Sequence, residues 1–345
     1  MQSIILNPEK PPALLKSQYQ RDASRKEINP LRTHHHPRQD AGGEDASVYF
    51  IGTATTIIEW EGIRILTDPN FLHSGDHVHL GPGVSGRRQT NPAVDLYELP
   101  PIHAVLLSHY HEDHFDKKVE DSLNRGFPII TTKHGKDCLT STAKAEPFRN
   151  VRDLNSFESL GLRIQRTDRE DNERVPMIKV TGMPGKHVPP GPISMANDLL
   201  QAVPPTNGWI LELGHTSPGA SETGAIKTGY RIYITGDTLF VDELKQIPEW
   251  LQNEKIDLML IHLGGTTIPG PSLPLVMVTM DATQGIQLRN LVDPDVTVPI
   301  HYDDYDVFLS PLDNFKKEVG NAGLEDRVVY LDRGEEYQFR VEEHV

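Results

Sequence analysis

The chain is almost without cysteine. Of its 345 residues only Cys138 carries a thiol. One thiol excludes an intrachain disulfide framework and any zinc site built on thiolates. Any metal must therefore be held by histidine and carboxylate. No run of about 18 apolar residues occurs, so no membrane-spanning helix is expected. No secretion signal is expected: Ile4-Ile5-Leu6 is too short an apolar stretch, and Glu9 and Lys10 follow at once. A cytoplasmic protein is the expectation. Positive charge is also scarce, with 34 Lys and Arg against 49 Asp and Glu, a net charge of −15. That argues against nonspecific attraction to nucleic-acid phosphates, and no basic stretch interleaved with aromatics appears, so no nucleic-acid partner is expected. No basic amphipathic helix suited to a membrane surface is evident either.

What is present suits a globular domain with a substantial core, since 37% of residues are hydrophobic and 24% charged. Residues 1–46 are rich in Lys, Arg, Pro, Gln and His, with weak periodicity. They read as a flexible arm, or as a segment packed on the outside of a domain spanning 47–345. His34, His35 and His36 in that segment read as a solvated polar tract.

Order begins near Ser47. Strands are expected over 48–52, 56–60 and 62–68, the last two joined by a tight Glu61-Gly62 turn. Residues 72–100 form a long loop of the kind that usually serves function. Further strands are expected at 104–108, 127–132, 178–182, 208–213, 230–236, 257–262 and 296–301, with two more at the end of the chain. The charged stretch 166–174 reads as a hairpin tip. Helices are expected over 241–254, 281–292 (with Asp281 as N-cap) and 311–322. Strands outnumber helices, which points to two sheets packed face to face with helices outside.

The chemistry concentrates in Ser108-His109-Tyr110-His111-Glu112-Asp113-His114, directly after a buried strand. Alternate residues of an extended stretch point the same way, so His109 and His111 can face one cation. Past a tight turn, Asp113 and His114 can face a second point nearby. Imidazole and carboxylate suit Zn, Mn or Fe. One segment cannot close such a site, and partners are expected after other strands. His187, Asp237 and His301 occupy such positions. Asp68 ends the second strand of the early hairpin, either as a support to the ligands or as a simple turn residue before Pro69. His262 reads equally as a pocket wall or a satisfied buried histidine. His77, His79, Arg87 and Arg88 in the 72–100 loop read as substrate contacts or as surface, and Tyr302 as a donor to a developing oxyanion.

With this order of residues the chain resembles the metallo-β-lactamase superfamily, closest to the branch holding the ascorbate-phosphate lactonases and the N-acyl-phosphatidylethanolamine phospholipase D enzymes. The likeness covers residues 48 to about 340. It rests on Asp68, then H-x-H-x-D-H over 109–114, then His187, Asp237 and His301. It implies an α+β fold, a four-layer αββα sandwich with metals at one edge. It also implies His109, His111 and His187 on one metal, Asp113, His114 and His301 on another, and Asp237 bridging the two, with zinc first and Mn or Fe as alternatives. The implied activity is hydrolysis by a metal-bound hydroxide, formed because the metal lowers the water pKa to about 7. Asp113 would orient the nucleophile and carry a proton. The expected substrate is a small ester, a lactone first. Phosphodiester cleavage of the phospholipase D type is the enzyme alternative, and a binding protein that kept the fold is the non-enzyme one. A homo-oligomer is consistent with the lactonase resemblance.

Overall fold

The computed structural model describes residues 2–19, 27–81, 84–166, 174–192, 194–195, 197, 203–216, 226–270 and 273–342. Two sheets dominate. The first has eight strands in the order Val151–Asp153, Ile129–Thr131, Ala104–Leu106, Ile63–Thr67, Thr55–Trp60, Ala46–Gly52, Glu336–Phe339, Thr33–His34. The second has seven, in the order Gln2–Leu6, Ser159–Ile164, Pro176–Pro184, Asn207–Thr216, Ile226–Ile234, Leu258–His262, Val296–Ile300.

Alternation along the strands sorts side chains into layers. Val48, Phe50, Ile58 and Trp60 point between the sheets, where they meet Val180, Trp209, Leu211 and Ile232. Tyr49, Ile51 and Ile57 point the other way, into a layer shared with Val119 and Leu139 of the helices Lys117–Ser122 and Lys133–Leu139 and with Leu123, which caps the first of them. On the far face of the second sheet, Ile210, Tyr233, Met259 and Ile261 pack against Ile247, Leu288, Phe315 and Val319. Those four come from the helices Gln246–Leu251, Ala282–Val292 and Leu312–Ala322. The result is helix, sheet, sheet, helix, the expected four-layer sandwich.

Local signals explain the element ends. The Asp281 side chain accepts from the Gln284 amide and caps its helix as expected. Glu61 and Gly62 both take positive φ, 52° and 74°, which matches the twist of a two-residue hairpin. The strands Ser159–Ile164 and Pro176–Pro184 pair antiparallel, while the hairpin tip expected between them falls mostly on 167–173, outside the described residues. Of the two strands expected at the end, Glu336–Phe339 forms, whereas Val328 makes a single bridge to Thr297.

Two expectations need correction. The 72–100 loop is not structureless: His77–His79 and Ser85–Arg87 pair as a hairpin, and Leu96–Glu98 forms a short helical turn. Of the two readings of the N-terminal segment, the described residues follow the packed one and not the flexible arm. Gln2–Leu6 pairs in parallel with Ser159–Ile164 and covers the edge of the second sheet, and Thr33–His34 extends the first sheet beside Glu336–Phe339. Leu6 is buried in the central core and Leu15 in the outer layer. The polar tract is paired too: His34 meets Glu335, His35 meets Glu44 and His36 meets Asp295. A strand with one buried side chain carries too little periodicity to be read from sequence.

Leu6→Ala should cost about 2–4 kcal/mol by removing a core side chain, and denaturant unfolding measures it; an unchanged midpoint would mean that the N-terminal strand does not hold the sheet. Burial pushes the Asp257 carboxyl up to about 6, and the Arg231 amide at 2.6 Å offsets this only in part. A folded-state value raised above the unfolded value of about 4 stabilises below that value and is lost as pH rises through 6. Asp257→Asn should therefore raise the melting temperature more at pH 8 than at pH 5, as followed by circular dichroism.

Candidate metal centre

The candidate residues gather at one edge of the sandwich because each follows the end of a strand. Asp68 follows Ile63–Thr67, and the 109–114 cluster follows Ala104–Leu106, both in the first sheet. His187 follows Pro176–Pro184, Asp237 follows Ile226–Ile234 and His301 follows Val296–Ile300, all in the second. The turn into Asp237 requires glycine. Gly236 has φ +62°, and a Cβ there would lie 2.3 Å from the Asn207 carbonyl oxygen.

The side chains form two adjoining groups. His109, His111 and His187 make one, and Asp113, His114, Asp237 and His301 make the other; within each group one ligand atom per residue lies within 4.8 Å of all the rest. His114 Nε2 is 3.3 Å from Asp237 Oδ2, and His301 Nε2 is 3.8 Å from Asp113 Oδ2. His187 Nε2 is 3.9 Å from Asp237 Oδ2, so the Asp237 carboxylate lies beside both groups. All but His111 are buried.

The opposite ring nitrogens are taken up by the protein. His187 Nδ1 meets the Val278 carbonyl at 2.6 Å, and His301 Nδ1 meets that of Leu263 at 3.0 Å. His109 Nδ1 meets Ser108 Oγ at 2.9 Å, and His114 Nδ1 meets Asp68 Oδ2 at 3.1 Å. A carbonyl or carboxylate beside one nitrogen fixes the tautomer with its hydrogen there and turns the other lone pair inward. Asp68 is itself held by the Ser108 amide at 2.7 Å and the Ser108 hydroxyl at 2.8 Å. Inward, His109 Nε2, His114 Nε2, His301 Nε2 and Asp237 Oδ1 find no well-aligned hydrogen bond among the described residues. Buried polar atoms left so are costly, and a cation among them removes the cost. The donor set fits divalent metal ions on that observation.

Electrostatics agree. Burial alone would raise Asp113 and Asp237, but the facing histidines outweigh it and hold both carboxyls well below the usual range. Burial pushes His187 down to about 4 and His109 well below its ordinary value, so these two imidazoles stay neutral with lone pairs available. His114 moves the other way: burial opposes, but Asp237 and Asp113 hold it well above its ordinary value. The pull on that proton marks where a positive charge is wanted.

His262 lies inside this edge. Its Nε2 is 3.6 Å from Asp68 Oδ2, its ring stacks 6.1 Å from that of His114, and Asp68, His114 and His262 form a third close group. Three other expected contacts come out differently. Arg88 does not face substrate: it is fully buried, paired with Asp304 at 2.9 Å and bonded to Asn70 Oδ1 at 3.1 Å. Tyr302 is buried, and its hydroxyl donates to the Leu331 carbonyl at 3.4 Å instead of facing the histidine and carboxylate cluster. His79 has an exposed side chain; only its backbone amide approaches the cluster, donating to the Glu112 carboxylate at 2.6 Å. Sequence reasoning missed Thr279, whose hydroxyl donates to Asp237 Oδ2 at 3.0 Å, and Asn70, whose side chain donates to the Asp113 carbonyl at 2.9 Å. Nothing in the sequence marks Thr279, whereas Asn70 stands two residues after Asp68. A cavity of about 670 Å³ opens beside the centre, with His187, Lys186, Val188, Pro205 and Thr206 in its wall.

Residues 63–302 match the model of the beta-lactamase superfamily domain. A UPF0173 metal-dependent hydrolase of Methanopyrus kandleri is 24% identical over 293 residues, which cover 84% of this chain and 99% of that one. Another, from Polynucleobacter asymbioticus, is 26% identical over 286 residues, covering 81% and 83%. In fold the chain is similar to an isothiocyanate hydrolase from Delia radicum gut bacteria, with a TM-score of 0.64 at 17% identity, covering 85% of this chain and 99% of that one. With the sandwich, the strand-end cluster and a family match over most of its length, the chain belongs to the metallo-β-lactamase superfamily.

Proposed function

We propose that the protein is a metal-dependent hydrolase of small ester-type substrates, with a lactone as the first class to test. The observation that carries this reading is the edge where seven ligands from both sheets gather about two adjoining points, with His109 Nε2, His114 Nε2, His301 Nε2 and Asp237 Oδ1 buried without a hydrogen-bond partner among the described residues. His109, His111 and His187 would hold one ion, Asp113, His114 and His301 a second, and Asp237 would touch both; zinc is the first expectation, with Mn and Fe as alternatives. Bound divalent ions supply water ionised near neutral pH and positive charge for a developing oxyanion.

The chain's own groups do the rest. Asp113, its carboxylate held ionised, can accept the proton of an attacking water and return it to a leaving alkoxide. Asp68 and the Val278 and Leu263 carbonyls keep the imidazoles from turning. The cavity beside His187 is of a size that takes a small molecule, and Lys186, Val188 and Pro205 are among the residues that line it. The metal-dependent hydrolases related in sequence support the general reaction. No helix among the described residues is long and apolar enough to cross a membrane.

Elemental analysis of the purified protein should find about two divalent ions per chain, and a substrate panel should show lactone turnover above that of bis-aryl phosphodiesters. Phosphodiester turnover alone would move the assignment to the phospholipase D-like alternative, and no bound metal after incubation with Zn and Mn would overturn the hydrolase reading. Asp237→Ala should lower kcat/KM by at least about 1000-fold, as expected when a charge-stabilising group is lost, while circular dichroism stays native. Near-normal turnover in that variant would exclude a two-ion centre.

A further inference from the structure

Beneath the four-ligand group lies a buried ion pair that the proposed chemistry does not use. Arg88 and Asp304 are both fully buried, with Arg88 Nη2 2.9 Å from Asp304 Oδ1 and the Tyr305 ring 5.3 Å from the guanidinium carbon. Taking two charges out of water costs several kcal/mol per ion, and such a pair is a weak source of stability, so its value is sought in what it orients.

Asp304 Oδ1 also accepts from Arg333 Nη2 at 2.9 Å, and two branches run from the pair toward the ligands. Arg88 Nη1 donates to Asn70 Oδ1 at 3.1 Å, and this fixes which way the Asn70 amide faces. Asn70 Nδ2 then lies 2.9 Å from the Asp113 carbonyl, 3.2 Å from that of Glu112 and 2.8 Å from the Tyr305 hydroxyl. The other branch starts at Asp304 Oδ2, which accepts from the Thr53 amide at 2.8 Å. The Thr53 carbonyl in turn accepts from the His301 amide at 2.9 Å. Arg88 also donates to the Thr53 hydroxyl, which closes the ring between the branches. Thr53 and His301 both have left-handed backbones, φ 54° and 59°, a conformation that costs a non-glycine residue energy and must be held by its surroundings.

Both branches end on the same half of the centre. Asp113 and His301 belong to the four-ligand group, while His109 and His187 of the other group are braced by Ser108 and the Val278 carbonyl. We propose that the Arg88–Asp304 pair, acting through Asn70 and Thr53, is a positioning device that sets the spacing of Asp113 and His301 and so tunes one of the two cation points without the other. The proposal rests on the metal-centre reading above, and the two can fail separately.

The test is cobalt titration of the full-length wild type, Asn70→Ala and Arg88→Lys, all stripped of metal, followed by visible absorption and by ions bound per chain. Thermal unfolding reports the fold in parallel. Asn70→Ala removes the donors to the cluster turn while Arg88 keeps Asp304 as its partner; Arg88→Lys keeps the charge and loses the planar fork. The expected result is two cobalt ions in the wild type, and in Asn70→Ala one ion bound as tightly as before and a second weakened about 10–100-fold, the usual range for a lost outer partner. Arg88→Lys should show the same one-sided loss, smaller in size. Two ions bound normally by a folded Asn70→Ala overturns the proposal, as does equal weakening of both. Unfolding of Asn70→Ala also overturns it, since the network would then serve the fold and not one half of the centre. A wild type that binds no cobalt defeats the metal-centre reading instead.

Discussion

The structure turns on one unpaid electrostatic demand: lone pairs of histidine and carboxylate, taken out of water at one edge of a sandwich and turned toward each other. Left alone, such a set is unfavourable. Burial should have neutralised Asp113 and Asp237, yet the facing imidazoles keep them ionised. Everything near the edge serves to hold that set in place. Strand ends deliver the residues, backbone carbonyls fix the tautomers, Gly236 admits the turn into Asp237, and Asp68 anchors both Ser108 and His114.

The sandwich makes this arrangement affordable. Large side chains such as Trp60 and Trp209 fill the space between the sheets, and the helices seal the outer faces. Because the strands that deliver the ligands are buried at the ends nearest the centre, those ends are fixed points. Side chains just beyond them inherit that rigidity.

Much of this was legible in the sequence, for physical reasons that differ by residue. Val48 to Ile51 and Thr55 to Trp60 are short runs rich in β-branched and aromatic residues, buried almost throughout, so their strands could be read. The 109–114 cluster was legible because its ligands are neighbours in the chain. His187, Asp237 and His301 could be found only by where they stand relative to strands. Arg88 misled because a charged residue in a long polar loop looks exposed, and only tertiary structure supplies Asp304 as its buried partner. Tyr302 misled because adjacency to His301 in sequence is not adjacency in direction: the left-handed backbone at His301 sends its neighbour elsewhere. The short strands Gln2–Leu6 and Thr33–His34 were missed because an edge strand with few buried side chains leaves no pattern.

One feature of the ligand set reaches back to the scarcity of thiols. Within each candidate group the residues come from both sheets: His109 and His111 from one with His187 from the other, and Asp113 and His114 from one with Asp237 and His301 from the other. A cation seated in either group would stitch the two halves of the sandwich together along their open rim. A chain with a single cysteine cannot cross-link itself covalently, but coordination bonds spanning the same gap would act as reversible rivets, present when the ions are and gone when they leave.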